Sequence, residues 1–190
     1  MRFYIFLDLF RLLPIFLFCK FTKQKSKIAS DLKRWSEILK ISGRKFYCFS
    51  VLLLRHKEFR NYLGTRLPKF QRLILFFLFR PLECLKISCK DIGSGLFIQH
   101  GIGTIIAAQK IGDNCWINQN VTIGYNIGDD KTPIIGNNVE IKAGAVVVGN
   151  IRIGNNVLIG ANTVVVKDIP DNMMAFGCPL VIRPNKYIRG

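Results

Sequence analysis

The second half of the chain carries aliphatic residues at a spacing of six, unbroken from residue 135 to residue 165. The positions that follow this spacing, at intervals of one or two sixes and with one extra residue between the second and the third, are Ile92, Ile98, Ile111, Ile117, Ile123, Ile135, Ile141, Val147, Ile153, Ile159 and Val165. Six residues suffice for one short strand and one tight turn, and three such units close a triangular coil. The period therefore predicts a parallel β-helix, with the aliphatic side chains inside and coils about 4.8 Å apart.

Small residues recur directly after the aliphatic ones. These positions are Gly93, Gly112, Gly124, Gly136, Gly154 and Gly160. We interpret the Gly or Asn after the aliphatic residue as the residue that accepts a turn conformation which other residues resist. Residues 124–134 keep the spacing but are too polar for a stacked strand, so we expect a loop that projects from one corner. Loops on rigid scaffolds often carry function.

Residues 1–84 lack this period and have the pattern of short amphipathic helices. The clearest apolar stripe consists of Leu32, Trp35, Ile38 and Leu39. It follows a helix start signal at Ser30 and Asp31, and we predict three or four short helices in all. The predicted fold class is thus α+β: a helical region over residues 1–84, then a β-helix domain over residues 85–190 with a loop at 124–134 and a C-terminal tail.

Charge separates the same two regions. Residues 1–90 contain 20 lysines and arginines against 5 acidic residues, whereas residues 91–190 contain 8 against 7. Basic residues interleaved with long apolar stretches favour a membrane surface or a protein partner. They do not favour nucleic acid, for which the chain has no recognisable motif. The alternative is that these cations form the solvated faces of amphipathic helices.

The apolar N-terminus is too interrupted to predict a transmembrane helix. Its longest uncharged run, Leu12 to Cys19, has 8 residues, whereas a spanning helix needs roughly 20. No small-residue cleavage site follows it. We expect a cytoplasmic protein, with possible peripheral contact to the inner face of the cytoplasmic membrane through residues 1–80.

Cysteine and histidine usage narrows the chemistry. The six cysteines form no CxxC pair and no zinc spacing with histidine, so we predict reduced cysteines and no metal site. Of the two histidines, His56 lies among charged residues and is expected at the surface. His100 lies where the six-residue period slips by one, which frees its side chain to point outward. Its ordinary pKa near neutrality suits a general base; the alternative is a histidine that only caps a turn.

Several motifs around His100 resemble the serine acetyltransferase-like branch of the hexapeptide-repeat transferases, over roughly residues 85–185. They are Gly95-Leu96-Phe97-Ile98-Gln99-His100-Gly101, Ile111-Gly112-Asp113-Asn114, Val121-Thr122-Ile123-Gly124, Pro133-Ile134-Ile135-Gly136 and Gly177-Cys178-Pro179. The resemblance implies a left-handed β-helix and an acetyl-CoA-dependent O-acetyltransferase with its histidine base at His100. It also implies a homotrimer that binds acetyl-CoA in a cleft between neighbouring prisms.

Other candidate site residues fall into three groups. For the acceptor substrate they are Gln99, Asp129, Asp130, Lys131 and Thr132. For the pantetheine arm of acetyl-CoA they are the small residues Ala143, Gly144, Gly160 and Ala161, which otherwise serve turn geometry alone. For the nucleotide end they are the C-terminal cations Lys167, Arg183 and Lys186, any of which is otherwise only a solvated charge.

The chain departs from the family at three positions. Leu85 stands where serine acetyltransferases have an aspartate, 15 residues before the catalytic histidine; Glu83 and Asp91 are near it in sequence but in different registers. Ala108 replaces the glutamate that contacts serine, and Thr132 replaces a loop histidine. A site that loses its polar partners loses discrimination. We therefore expect a sugar hydroxyl in surface polysaccharide biosynthesis as the acceptor, with serine O-acetylation in cysteine biosynthesis as the alternative.

Other proteins with this solenoid are less compatible with the sequence. A γ-type carbonic anhydrase holds zinc with three histidines, and the repeat region has one. A nucleotidyltransferase needs a Rossmann-like domain and a phosphate-binding loop, which residues 1–84 do not offer. A non-catalytic scaffold remains as an alternative because fold alone does not determine function.

Overall fold

The computed structural model describes residues 2–128 and 130–187, with side chains from residue 8 onward except residue 9. The chain forms two compact units, Met1–Leu82 and Glu83–Gly190. The first is helical, and the second is a parallel left-handed β-helix. The predicted α+β class is therefore confirmed.

Five helices make up the described part of the first unit. They are α1 (Arg2–Phe21), α2 (Lys25–Ile38), α3 (Lys45–Arg55), α4 (Lys57–Arg66) and α5 (Lys69–Leu78). The expectation of three or four short helices is wrong, and α1 alone runs for 20 residues. Trp35, Phe49 and Phe59 are among the fully buried side chains of the unit. In the part of the chain that is described, no helix has the length and apolar character needed to cross a membrane.

The predicted start of α2 is also wrong, because α2 begins at Lys25 and Asp31 lies inside it. The Asp31 carboxylate is buried, where it accepts hydrogen bonds from the Tyr62 hydroxyl (2.8 Å) and from Arg66 Nε (3.0 Å). The Asp31 carboxylate therefore binds side chains of another helix and does not cap the first turn of α2. Burial, and next the Asp31 charge, raise the pKa of Tyr62 well above its ordinary value.

Fifteen short strands build the described part of the second unit. They are β1 (Leu85–Ile87), β2 (Asp91–Ile92), β3 (Phe97–Ile98), β4 (Thr104–Ile106), β5 (Lys110–Ile111), β6 (Trp116–Ile117), β7 (Thr122–Gly124), β8 (Ile134–Ile135), β9 (Glu140–Ile141), β10 (Val146–Val148), β11 (Arg152–Ile153), β12 (Leu158–Ile159), β13 (Val164–Val165), β14 (Met173–Phe176) and β15 (Val181–Pro184). Every third strand stacks in parallel, which gives the prism three faces.

We name the faces by their strands. Face A contains β1, β4, β7, β10 and β13; face B contains β2, β5, β8 and β11; face C contains β3, β6, β9, β12 and β14, with β15 antiparallel at its end. On face C, Ile98, Ile117, Ile141 and Ile159 stand in register, and all are buried. The stacked aliphatic column that the period predicts is present.

Except for Gly124, around which there is open space, the glycines after the aliphatic residues allow close approach of a neighbouring coil or strand. A Cβ on Gly112 would lie 2.6 Å from the carbonyl carbon of Gly136, and one on Gly136 would lie 2.7 Å from that of Gly154. The left-handed backbone falls instead on asparagines two residues later, such as Asn114 (φ 57°) and Asn138 (φ 54°). Our turn interpretation is therefore wrong for these glycines, whereas the asparagines do adopt the turn conformation.

Candidate active site

His100 lies in a two-residue insertion at one corner of the prism. Eight positions separate the inward-facing Ile98 and Ile106, whereas six separate the equivalent Ile117 and Ile123 one coil later. The next corner is one residue shorter, because only five positions separate Ile106 and Ile111. The one extra residue in the sequence thus results from two residues added at the corner of His100 and one residue missing at the next corner.

The inserted residues form a tight turn. His100 (φ 65°) and Gly101 (φ 62°) both have left-handed backbone, and the Gly101 N–H donates to the Gln99 carbonyl at 2.8 Å. A hydrogen bond from residue i+2 back to residue i defines a γ-turn, which is rare with a positive φ at its centre. The His100 side chain is exposed. Such backbone strain persists only where the surrounding structure holds it, and it is common at functional sites.

The turn lies on the edge of the prism between faces C and A, which we call the histidine edge. Along it, Gln119, Ala143 and Ala161 occupy equivalent positions in the three following coils. The backbone continues this stacking, because the Gly144 N–H donates to the Gln119 carbonyl (3.1 Å) and the Asn162 N–H to the Ala143 carbonyl (2.9 Å). Four candidate acetyl-CoA residues therefore lie on the same edge as His100: Ala143, Gly144, Gly160 and Ala161. Their small side chains leave this edge open above the histidine.

Gln99 is held by face C. Its Oε1 accepts hydrogen bonds from Trp116 Nε1 (3.1 Å) and Asn118 Nδ2 (3.2 Å). Lys142 lies over the Trp116 ring at 5.7 Å. The amide oxygen of Gln99 is thereby occupied, which leaves its NH₂ group as the end that can donate to a ligand. Our sequence reasoning did not identify the roles of Trp116 and Asn118, and only their equivalence to Phe97 and Gln99 one coil earlier could have indicated them.

The other acceptor candidates lie on a different edge. The loop between β7 and β8 leaves the prism between faces A and B, at what we call the loop edge. Asp130 and Lys131 are exposed there, and Asp129 lies outside the described residues. Thr132 is buried, and its carbonyl accepts a hydrogen bond from Gln109 Nε2 at 2.5 Å. A single chain does not bring these residues to His100.

The three candidate cations are also separated. Lys167 follows β13 and stands in register with Gly149, so it lies on the loop edge rather than beside His100. Arg183 lies on β15, at the end of face C, and its guanidinium lies 5.7 Å from the centre of the Phe176 ring. Lys186 is exposed in the tail. Of the three, Arg183 is on the face that borders the histidine edge.

No acidic side chain orients His100 within the described part of the chain. Leu85 is buried in β1, where it pairs in register with Thr104. The Asp91 carboxylate instead faces Lys110 Nζ at 3.5 Å. The described residues also contain no group of three histidine, cysteine or acidic side chains that could hold a metal ion, and the six cysteines, all of them described, form no disulfide.

Comparison with known proteins places this geometry in a family. The family model described as bacterial transferase hexapeptide (six repeats) matches residues 132–167. A serine acetyltransferase of Synechocystis is 39% identical over 154 residues, which cover 77% of this chain and 58% of that protein. A serine acetyltransferase of Staphylococcus aureus is 48% identical over 92 residues, which cover 46% of this chain and 43% of that protein. The chain thus spans about half the length of these curated relatives.

Solved structures give the same result over more of the chain. The Neisseria gonorrhoeae serine acetyltransferase in complex with serine is 30% identical, with a TM-score of 0.63, and the match covers 83% of this chain and 68% of that one. The serine acetyltransferase of Brucella abortus is 27% identical, with a TM-score of 0.69, over 85% and 69%. Both matches cover more of this chain than the repeats alone.

These comparisons overturn our main prediction of a sugar hydroxyl as acceptor in polysaccharide biosynthesis, since the matched relatives are serine acetyltransferases. That prediction rested on Leu85, Ala108 and Thr132. Ala108 and Thr132 are buried on or beside the loop edge, and Leu85 is buried inside face A. The identity of these three buried side chains alone does not define the acceptor site. The chain belongs to the hexapeptide-repeat acyltransferases of the serine acetyltransferase type.

Proposed function

We propose that the protein is a serine O-acetyltransferase that uses acetyl-CoA as its co-substrate and acts in cysteine biosynthesis. The observation that carries this proposal is the match to the serine-bound Neisseria gonorrhoeae enzyme over 83% of the chain. That match is longer than the 108 residues of the β-helix unit, so it includes part of the helical unit as well.

His100 acts as the general base in this proposal. Its imidazole accepts the proton of the serine hydroxyl while the hydroxyl oxygen attacks the thioester carbonyl carbon of acetyl-CoA. The resulting tetrahedral intermediate collapses with cleavage of the carbon–sulfur bond, and the CoA thiolate takes up the proton from the imidazolium. The products are O-acetylserine and CoA. An exposed imidazole at an open edge suits this role, because both substrates need access to it.

The backbone turn, rather than an acidic partner, positions His100. With Leu85 in place of the expected aspartate, the left-handed pair at His100 and Gly101 restricts where the imidazole can point. The side chain of the preceding Gln99 is fixed by Trp116 and Asn118. This arrangement orients the imidazole of His100 without a carboxylate partner. It also leaves the Gln99 NH₂ group available to the acceptor.

A complete site requires more than one copy of the chain, and we propose a homotrimer. His100 is on the histidine edge, whereas Asp130 and Lys131 are on the loop edge. Neighbouring prisms in a threefold ring bring the histidine edge of one copy to the loop edge of the next. Lys131 then offers a cation for the serine carboxylate, and Asp129 and Asp130 offer anions for its ammonium group.

Acetyl-CoA fits the same cleft. Ala143, Gly144, Gly160 and Ala161 leave room for the pantetheine arm along the histidine edge. Arg183, at the end of face C, is the best placed of the three candidate cations for the nucleotide phosphates, with Lys186 near it in sequence. Lys167 meets the ligand only from a neighbouring copy.

The proposal is tested by following CoA release from acetyl-CoA with L-serine and by identifying the acetylated product by mass spectrometry. Reactions without serine and with D-serine control for thioester hydrolysis and for unspecific acetylation. We expect serine-dependent CoA release with formation of O-acetylserine. Acetyl-CoA hydrolysis that is independent of serine, or no acetyl-CoA binding at all, would contradict the proposal.

A further inference from the structure

Helix α5 exposes an apolar stripe to solvent. Phe70, Leu73 and Phe77 are spaced i, i+3 and i+7, so they share one face of the helix. They are 73%, 68% and 85% exposed. The opposite face is packed in the core of the unit, where Leu75 is fully buried. These three side chains therefore lie outside the core of the unit.

The neighbouring helix α1 has a similar stripe. Its exposed apolar residues are Phe10, Leu13, Leu17 and Phe21, while Leu12 and Ile15 on the other side are buried. The two helices touch through Arg11, whose guanidinium lies 4.6 Å from the centre of the Phe79 ring and donates to the Leu78 carbonyl. The helical unit thus exposes seven large apolar side chains on two adjacent helices.

The helical unit that carries these stripes is strongly basic. Residues 1–82 contain 18 lysines and arginines and 4 acidic residues. Of the acidic residues, Asp31 is buried against Arg66 and Asp8 lies 3.5 Å from Arg11. Lys69, Arg72 and Arg80, on or next to α5, are exposed beside its stripe. The unit therefore presents apolar and positively charged groups together.

We propose that α1 and α5 bind the surface of an anionic lipid bilayer. The aromatic and leucine side chains enter the boundary between headgroups and acyl chains, and the cations pair with lipid phosphates. A second copy of the chain is a poorer occupant, because each copy has an excess of 14 positive charges in this unit and like charges repel. No described helix can span the bilayer, so the helices lie in its plane. This inference is independent of the acetyltransferase activity.

The experiment measures co-sedimentation of the full chain with vesicles of phosphatidylcholine alone and of phosphatidylcholine with phosphatidylglycerol. We expect binding to the anionic vesicles, little binding to the neutral ones, and weakening at high salt. The variant Phe70→Ser/Leu73→Ser/Phe77→Ser is expected to bind anionic vesicles at least about tenfold more weakly. Tyr47→Ser, at an exposed aromatic of α3, is the matched control and keeps wild-type binding.

A charge-matched pair isolates the role of the cations. Lys69→Glu/Arg72→Glu is expected to weaken binding by about tenfold or more. Lys45→Glu/Lys57→Glu changes the net charge equally at the exposed first residues of α3 and α4, and its effect is expected to be smaller. Far-UV circular dichroism verifies that each variant keeps its helices.

Three outcomes overturn the proposal. The first is absence of the wild-type chain from the pellet with anionic vesicles. The second is equal loss of binding in both charge pairs with none in the serine variant, which indicates unspecific attraction. The third is concentration-dependent self-association in light scattering that the serine variant abolishes, which assigns the stripes to a second copy.

Discussion

The two units of this protein bury their apolar side chains in different ways. The β-helix repeats one solution, in which each inward aliphatic residue stacks on its equivalents in the coils above and below. The helical unit has no repeat and depends on single contacts, such as the edge-to-face pair of Trp35 and Phe59 and the buried cluster of Asp31, Tyr62 and Arg66. Stacking in columns explains why the prism tolerates an insertion at one corner. His100 and Gly101 bulge from the edge while Ile98 and Ile106 stay in their columns.

The units differ equally in what they expose. The helical unit presents cations and large apolar side chains, whereas Glu83–Gly190 contains 10 lysines and arginines against 8 acidic residues. The edges of the prism also expose apolar side chains, among them Ile102 and Ile127, but the unit that carries them has little excess of cations. In our two proposals, binding to a membrane surface belongs to the helical unit and the chemistry on a small molecule belongs to the β-helix.

The largest effect on stability is expected in the helical unit. Asp31→Ala leaves the guanidinium of Arg66 buried without its carboxylate, since both side chains are only 3% exposed. We expect a loss of about 3–5 kcal/mol in the free energy of unfolding of this unit. Each unit contains one tryptophan, so Trp35 fluorescence in a Trp116→Phe background follows urea unfolding of the helical unit alone.

The control for Asp31→Ala is Glu37→Ala. Glu37 belongs to the exposed ion pair with Lys33 at 3.9 Å on the same helix, and exposed pairs contribute at most about 1 kcal/mol. Similar losses in the two variants would show that the buried cluster does not hold the unit together.

A smaller effect is expected from the glycine column of the β-helix. Gly136→Ala forces a Cβ to within 2.7 Å of the Gly154 backbone, which cannot move without shifting the next coil. We expect destabilisation of about 1–3 kcal/mol. Gly124→Ala is the matched control, since its Cβ would meet nothing within 4 Å. Hydrogen exchange of peptides from residues 111–160 should rise in the first variant only, and equal exchange in both would contradict the close-approach account.

The smallest effect concerns acid stability. Asp171 accepts hydrogen bonds from the Asn155 backbone N–H (2.8 Å) and from its Nδ2 (3.1 Å), and the backbone bond is the first cause of a lowered pKa. Because the pKa is lower in the folded state, the ionised carboxylate stabilises the fold at pH values above its ordinary pKa of 3.8. This contribution to stability is lost as the pH falls below 3.8 and through the lower pKa of the folded state. Asp171→Asn keeps an acceptor but does not titrate. We expect thermal unfolding of the variant to depend less on pH in this acid range, with little change at neutral pH.

Periodicity explains why the inward positions of the β-helix could be predicted residue by residue, whereas residues 1–84 could be predicted only as a helical region. A residue such as Ile141 repeats the environment of Ile117, so one rule of spacing assigns both. Asp31 has no equivalent; a start signal of Ser30 and Asp31 looks the same whether the acid caps a helix or meets Tyr62 and Arg66 in three dimensions. Helix ends and the number of helices therefore required the tertiary contacts.

The candidate site shows the same limit. The slip at His100 was readable from the spacing, but its division into a gain of two residues and a loss of one was not. The fold also divides the candidates between two edges: Gln99 lies beside His100, while Lys131 and Lys167 lie on the loop edge. The acceptor prediction failed because it treated the replacement of three single side chains as loss of the ability to bind serine.

The central claim is that His100 is the base of a serine acetyltransferase, and steady-state kinetics of a variant that keeps the turn tests it most directly. Asparagine tolerates left-handed backbone, so His100→Asn preserves φ near 65° and removes the base. His56→Asn, in the helical unit, is the control. We expect kcat for serine acetylation to fall by about 10²–10⁴-fold in His100→Asn, with acetyl-CoA binding retained and with His56→Asn unchanged. Serine acetylation at the wild-type rate by His100→Asn would contradict the account.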